Sequence, residues 1–340
     1  MKYTKIFQYT LLTTTLTTLA ATSNLSLAAT DELVVYSSRK EHLIRPLLMQ
    51  FQKETGIKTT LYTGKANALI QRLKSEGSKT PADIFMTVDA GNLWYAAKQG
   101  LFQPMNMQQI EKNIPNHLRD PNNLWTGLSV RARTIFYNQN KVSPKELSTY
   151  EALADPSWRG RLCLRTSKKV YNKSLVAAMI AHHGEAKTKQ VLQGWVKNLA
   201  TKPHAKDSHV LKAIEAGQCD VGIVNTYYYG RMADKNPHTA VRLFWANQNT
   251  TGTHINISGA GILKHSDNPA AAQKLINWLT QPKPQKHLST ENKEYPANPH
   301  VKVDAQLLEW GDFKQDTLNM SKLGENQAKA VQLMQAVGYK

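Results

Sequence analysis

Acidic residues are scarce in this chain. Only 25 Asp and Glu stand against 43 Lys and Arg in 340 residues, a formal net charge of +18. A basic balance can serve nucleic acid, an anionic membrane or an anionic ligand. Here the cations are scattered over many segments and not gathered in a tail or one helix stripe, and no nucleic-acid-binding motif accompanies them. That leaves a general attraction toward acidic surfaces or anionic chelates. Catalytic signatures are missing too: there is no nucleophile elbow and no His-Glu-x-x-His, so nothing marks an exported hydrolase. No cysteine precedes Cys163, so the amino-terminal region offers no thiol for a lipid. Its apolar run, Ile6 to Ala21, is short and threonine-rich, which argues against a membrane anchor.

What the amino terminus does have is a basic head, Met1-Lys2-Tyr3-Thr4-Lys5, then that weakly apolar run, then Ser26-Leu27-Ala28 with small residues where a peptidase would cut. Residues 1–28 are therefore expected to be a secretory signal cleaved near Ala28, with the mature protein in the periplasm. Losing Lys2 and Lys5 lowers the formal charge by two, from +18 to +16. In an oxidising compartment Cys163 and Cys219 suggest one disulfide if the fold brings them together; two buried free thiols are the other reading.

The remainder, with 41% hydrophobic residues overall and no low-complexity segment, is long enough for two cored lobes. Leu33-Val34-Val35-Tyr36 reads as a strand. Leu43, Ile44, Leu47, Leu48 and Phe51 recur at helical spacing up to Gly56, and Ile57 to Tyr62 is the next strand. This β-α-β start carries Ser37, Ser38 and Arg39 at a helix amino terminus, suited to an anion; for Ser38 a plain helix cap is the simpler reading. A helix over Leu69, Ile70 and Leu73 precedes a strand at Pro81 to Met86, after which Asp89 opens another helix. The pattern returns later, with a helix over Val210, Leu211 and Ile214, a glycine stop, and the strand Cys219 to Val224. Two similar α/β lobes facing one cleft would produce this echo. Between them Gly127 to Asn138 reads as a long strand with a basic middle, able to leave one lobe and enter the other. A helix is expected over Glu146 to Leu153, a strand at Arg161 to Leu164, and a helix after Tyr171-Asn172 that closes at Gly184. Asn256 to Leu263 is a second crossover, followed by a helical tail.

The strand ending at Val224 runs into Asn225-Thr226-Tyr227-Tyr228-Tyr229-Gly230-Arg231, at the edge where open α/β sheets bind ligands. A phenol ionises near pH 10 in water, but a highly charged cation beside it favours the phenolate. Tyr227 and Tyr228 could thus offer two anionic oxygens to one hard trivalent metal. Read alone, the segment suits packing, or stacking on a sugar or aromatic ligand, at least as well. Tyr171 changes the weighing, because it places a third phenol on a separate loop at the carboxyl edge of the same lobe. The neighbouring His182-His183 face different directions on a helix and have no second pair at metal-ligand spacing, so they read as surface histidines.

Over nearly the whole mature chain the sequence resembles the periplasmic ferric-ion-binding proteins that feed iron ABC importers, the two-lobed Fbp and Fut kind. The resemblance is carried by Val35-Tyr36-Ser37-Ser38-Arg39, Pro81-Ala82-Asp83-Ile84, Arg131-Ala132-Arg133, Tyr150-Glu151-Ala152-Leu153-Ala154-Asp155-Pro156, Tyr171-Asn172-Lys173-Ser174-Leu175-Val176 and Asn225-Thr226-Tyr227-Tyr228. It implies an α/β type II periplasmic binding protein with two lobes joined by two crossover strands. The expected layout is an amino-terminal lobe over 29–130 completed by 258–300, a carboxyl-terminal lobe over 131–257, and helices over 301–340 packing on both. Tyr171, Tyr227 and Tyr228 are implied to bind Fe(III), with Arg131 holding carbonate or a similar synergistic anion. Ser38 and Arg39 are cleft or anion contacts from the other lobe, Arg231 a charge-balancing neighbour, and Tyr229 points away. Several members carry His or His-Tyr after the Ser-Ser-Arg turn, where this chain has Lys40-Glu41. The site is therefore expected to rely on tyrosines and an anion, with Glu41, His42 and Asp89 as open candidates for a ligand from the amino-terminal lobe. The implied partners are ferric ion or a ferric chelate and an inner-membrane ABC permease, with the protein acting as a monomer and no nucleic acid involved. A same-fold receptor for another small anionic or cationic solute is the alternative.

Overall fold

The computed structural model describes residues 32–340 and Met1. The rest of the expected signal sequence lies outside the described residues. The chain order is β1 (Glu32–Ser37), α1 (Glu41–Thr55), β2 (Lys58–Thr63), α2 (Ala66–Glu76), β3 (Ile84–Val88), α3 (Ala90–Lys98), α4 (Gln108–Asn113) and β4 (Thr126–Asn138). Next come β5 (Leu162–Cys163), α5 (Val170–Asn198), α6 (Asp207–Glu215), β6 (Val221–Asn225), α7 (Thr226–Lys235), β7 (Val241–Phe244) and β8 (Ile255–Ile262). The chain closes with α8 (Pro269–Leu279), α9 (Pro282–Asn292), β9 (Tyr295–Pro296), α10 (Ala305–Leu308), α11 (Ser321–Glu325) and α12 (Gln327–Ala336).

Hydrogen bonding runs in the order β2-β1-β3-β8-β4-β6-β5, with β7 and β9 added to β4. Strand β4 decides the architecture. Its first half, Thr126 to Ala132, pairs antiparallel with β8 in one lobe; its second half, Arg133 to Tyr137, pairs antiparallel with β6 in the other. The handover falls between Ala132 and Arg133, and β8 begins at Ile255 beside the same point. Each lobe keeps its own core. One packs Leu33, Phe51, Phe85 and Trp125, the other Ile135, Leu192, Trp195 and Ile223. All thirteen residues of β4 are buried, as strands covered on both faces must be. Gly259 on β8 is held by close approach: a Cβ there would stand 2.4 Å from the Thr126 carbonyl oxygen.

Most expected elements are present, with differences that have physical causes. The segment Glu146 to Leu153 forms two short 3-10 turns, Pro144–Glu146 and Glu151–Ala154, and no α-helix. A capping box at Ser143 and Glu146 closes the first turn locally, and the Asn247 side chain accepts from the Tyr150 backbone N–H, so tertiary partners replace helical ones. The helix expected to close at Gly184 instead resumes beyond a kink there, where Gly184 takes φ 76°, a value glycine accepts without strain. Helix α11 packs against both α3 and α5, and α12 against α5, so the tail touches both lobes.

Cys163 and Cys219 are joined by a disulfide with a Cα–Cα separation of 5.9 Å, tying β5 to the turn before β6 across 56 residues. Of the two readings open from sequence, the bridge is the one observed. Replacing both cysteines by Ser is expected to lower stability by about 2–4 kcal/mol through the greater freedom of the unfolded chain. Urea unfolding of the wild type and the double variant measures this. Superimposable curves would mean that packing alone secures the two strands.

Candidate metal centre

Strand β6 is wholly buried and ends at Asn225, whose extended backbone (φ −74°, ψ 136°) leads straight into α7. Tyr227 and Tyr228 are the second and third residues of that helix, and Tyr171 is the second residue of α5. The expectation that these tyrosines sit on loops is corrected. Neither helix start carries a side-chain cap, and aromatic residues are middling helix formers, so the local sequence does not announce a helix. The difference matters chemically. First-turn residues lie among free backbone N–H groups and the positive end of the helix dipole, which favour an anionic oxygen nearby.

The rings of Tyr227 and Tyr228 lie 4.4 Å apart. Tyr171 comes to them from α5, close enough that the Tyr227 and Tyr228 phenols both influence its ionisation. Tyr229 turns the other way and packs against Phe136 and Trp310, as helical geometry requires of the next residue. Burial raises the phenol of Tyr171 and raises that of Tyr227 well above 10; the other two phenols add to the Tyr227 shift, whereas at Tyr171 the Tyr228 phenol raises and the Tyr227 hydroxyl lowers. Arg131 pulls both back down. Its guanidinium is buried, donating to Ser258 Oγ at 2.9 Å and to the Ile257 carbonyl at 2.7 Å, while its Nε has no partner. Arg231 stands 5.2 Å from the Tyr227 ring and 6.0 Å from the Tyr228 ring. The structure thus brings Tyr171, Tyr227, Tyr228, Arg131 and Arg231 together.

Residues of the amino-terminal lobe are placed less directly. Ser38 accepts from the Val88 N–H at 3.1 Å and shares a 2.8 Å hydrogen bond with Thr87, stitching the ends of β1 and β3. Arg39 is buried and committed to Glu294 at 3.2 Å, with Ser129 and Ser258 as further acceptors. Glu41 and His42 are exposed, and Glu41 pairs with Arg45 at 2.7 Å. Asp89 caps α3, its side chain accepting from Gly91 N–H, but it also faces the other lobe. Ser174 Oγ and Asn256 Nδ2 both donate to its Oδ2 at 2.8 Å, and the Ser174 bond, from α5, joins one lobe to the other. Burial pushes the Asp89 carboxyl up to about 6 against the opposing pull of Arg131 and these donors. Asp89 also holds φ 82°, an uncommon backbone state for a residue with a Cβ.

His182 and His183 are each hydrogen-bonded to a carboxylate, to Asp316 at 2.8 Å and Glu151 at 2.9 Å. Among the described residues no cluster of three or more His, Cys, Asp or Glu could hold a metal. The phenols are therefore the converging oxygen donors. Four residues around them escaped the sequence reading as members of a site: Arg133, Arg165, Asp207 and Asn225. Arg133 could have been suspected, since Arg131 and Arg133 are two apart on a strand and project to one face. Asp207, alone in a polar stretch, gives no such signal.

The sequence pattern of the bacterial extracellular solute-binding protein family matches residues 79–318. Iron uptake protein A1 of Synechocystis sp. is 41% identical over 316 residues, covering 91% of this chain and 88% of that protein. Among solved structures, the Trichodesmium IdiA (FutA) protein in complex with iron and citrate superposes with a TM-score of 0.88 at 42% identity, over 91% of this chain and 100% of that one. Ferric iron-binding protein A of Mannheimia haemolytica, in an open conformation, superposes with a TM-score of 0.83 at 38% identity, over 91% of this chain and 98% of that one.

Replacing Ser174 by Ala takes one donor from the buried Asp89 carboxylate, a loss of about 1–3 kcal/mol borne by the closed arrangement. Small-angle scattering of the metal-loaded variant is expected to show a larger radius of gyration than the metal-loaded wild type. Identical curves would mean that closure does not rest on this contact.

Proposed function

The chain belongs to the bacterial extracellular solute-binding protein family, and on that premise we propose that it captures Fe(III) in the periplasm and delivers it to an inner-membrane ABC permease. The observation that carries this reading is the meeting of Tyr171, Tyr227 and Tyr228 at the first turns of two helices. Ferric iron is a hard ion suited to oxygen donors, whereas softer divalent metals favour imidazole or thiolate. Three phenolates balance its three charges. An accompanying anion such as carbonate then fills remaining positions, accepting from the unpartnered Nε of Arg131. The names and descriptions of the related proteins, which speak of iron uptake and ferric binding, support the same cargo.

The binding sequence follows from the fold. Metal and anion settle first on the carboxyl-terminal lobe, which holds all three tyrosines. The amino-terminal lobe then closes by bending at Ala132–Arg133 of β4 and at the start of β8, with Asp89 meeting Ser174 across the gap. Ser38 and Arg39 serve this closure by shaping the facing wall; Arg231 offsets the phenolate charge. A groove of about 400 Å³ between α6 and α7, lined by Ser208, Lys212, Tyr228, Arg231 and Lys235 among others, leaves room for a chelator arriving with the iron. The molecule acts as a monomer and needs no covalent chemistry. A stacking platform for another solute is the second reading, favoured by the 4.4 Å approach of two rings beneath Arg231.

Adding Fe(III) to the purified protein is expected to produce a visible phenolate-to-iron absorption band. Changing Tyr171, Tyr227 or Tyr228 to Phe should weaken ferric binding by on the order of 100-fold, about 2.7 kcal/mol. A protein that stays colourless with ferric salt would favour the stacking platform. The pH dependence has a definite sign. Burial keeps Tyr171 and Tyr227 protonated in the metal-free state, so capture must expel their protons, and falling pH adds competitor. Iron affinity measured by chelator competition should therefore fall from pH 8 toward pH 5, and a flat profile would count against phenolate ligation.

A further inference from the structure

Asp207, the first residue of α6, is fully buried and takes no part in the iron-binding scheme above. A lone carboxylate in that position would be costly. It is compensated by two guanidiniums, one on each oxygen: Arg133 Nη1 donates to Oδ1 at 3.1 Å and Arg165 Nη1 to Oδ2 at 2.9 Å. The trio carries one net positive charge, and both arms run to the tyrosines. Arg133 donates to Asn172 Oδ1 at 2.6 Å, next in the chain to Tyr171, and to Asn225 Oδ1 at 3.1 Å. Asn225 in turn donates to the Tyr227 hydroxyl at 3.2 Å. Arg165 stands 5.0 Å from the centre of the Tyr171 ring, and the Tyr228 phenol lies close enough to favour its charged form. Asn172 also donates to the Arg165 carbonyl at 2.6 Å and to the Tyr339 hydroxyl at 2.7 Å, which closes the frame from the carboxyl terminus.

We propose that Asp207 is a positioning residue for iron capture, locking Arg133 and Arg165 behind the three tyrosines and so setting both where the phenols point and the positive charge they face. The inference rests on the ferric-binding reading. A buried ion pair kept only for stability can often be replaced by apolar side chains without loss. Here each arm ends on a proposed ligand or the residue beside it, so the geometry would not survive that exchange. The charge has its own consequence. A fixed cation beside the phenolates disfavours Fe(III) relative to Fe(II), so removing the Arg165 charge should lower the reduction potential of the bound iron. Removing the Asp207 charge should raise it.

The test uses the purified protein, loaded from ferric nitrilotriacetate, with Asp207→Asn, Arg165→Gln and Arg165→Lys. Asp220→Asn serves as a control, since it breaks the 2.7 Å Arg161–Asp220 pair in the same lobe. Ferric affinity is expected to fall about 10–100-fold in Asp207→Asn and Arg165→Gln, the usual range for residues that support metal ligands. Spectroelectrochemistry should show their potentials moving in opposite directions. Arg165→Lys should keep the wild-type potential while losing affinity, and Asp220→Asn should match the wild type in both. Wild-type affinity in the two main variants, or potentials that shift in the same direction in step with a lowered melting temperature, would reduce the trio to a structural ion pair. Should Asp207→Asn fail to fold, the Arg165 variants decide: equal potentials in Gln and Lys overturn the proposal. A wild-type protein that takes up no iron sinks the ferric reading itself, whereas a wild type that binds and variants that match it sink only the role of Asp207.

Discussion

A phenol becomes a metal ligand only when its proton leaves, and burial of Tyr171 and Tyr227 opposes that departure. The arrangement around the tyrosines is intelligible as an answer to this constraint. Two helices present their first turns, so backbone N–H groups and helix dipoles favour negative oxygen. Arg131 adds a buried cation beside Tyr171 and Tyr227, and Arg231 lies over the paired rings. Without a metal these influences do not overcome burial, and Tyr171 and Tyr227 stay neutral. A trivalent ion adds what is missing, which makes the proposed site selective for charge as well as for oxygen affinity.

The same constraint explains why the site lies between two lobes. Strand β4 contributes Arg131 on the amino-terminal side of the handover and Arg133 just after it, so one strand carries two of the cations near the tyrosines. Asp89 and Ser174 meet across the gap. The amino-terminal wall contributes polarity in which Arg39 and Arg131 share Glu294, and Arg39 also meets two serine hydroxyls.

The basic balance of the chain is spread over many segments, and part of it is internal. Arg133, Arg165 and Asp207 form a buried set with one uncompensated cation, placed where scattered surface lysines could not act without screening by salt. The disulfide holds β5 to the turn before β6, the two strands whose ends deliver Arg165 and the tyrosine helix.

Much of this was legible in the chain itself. Helical spacing located α1, and runs of apolar and β-branched residues located β1, β4 and β8, which are mostly or wholly buried. The echo of two α/β halves and the long basic strand implied lobes and a crossover. Tyr171, Tyr227 and Tyr228 could be singled out because phenols at strand ends are chemically unusual. The helical setting of those tyrosines was not legible, since their local propensities are weak and packing imposed the helix. Nor was the disulfide more than one of two readings, because pairing depends on a 5.9 Å approach between residues 56 apart. Asp207 had no signature at all. A carboxylate's role depends on which cations the fold brings to its two oxygens, and only tertiary structure sets those distances.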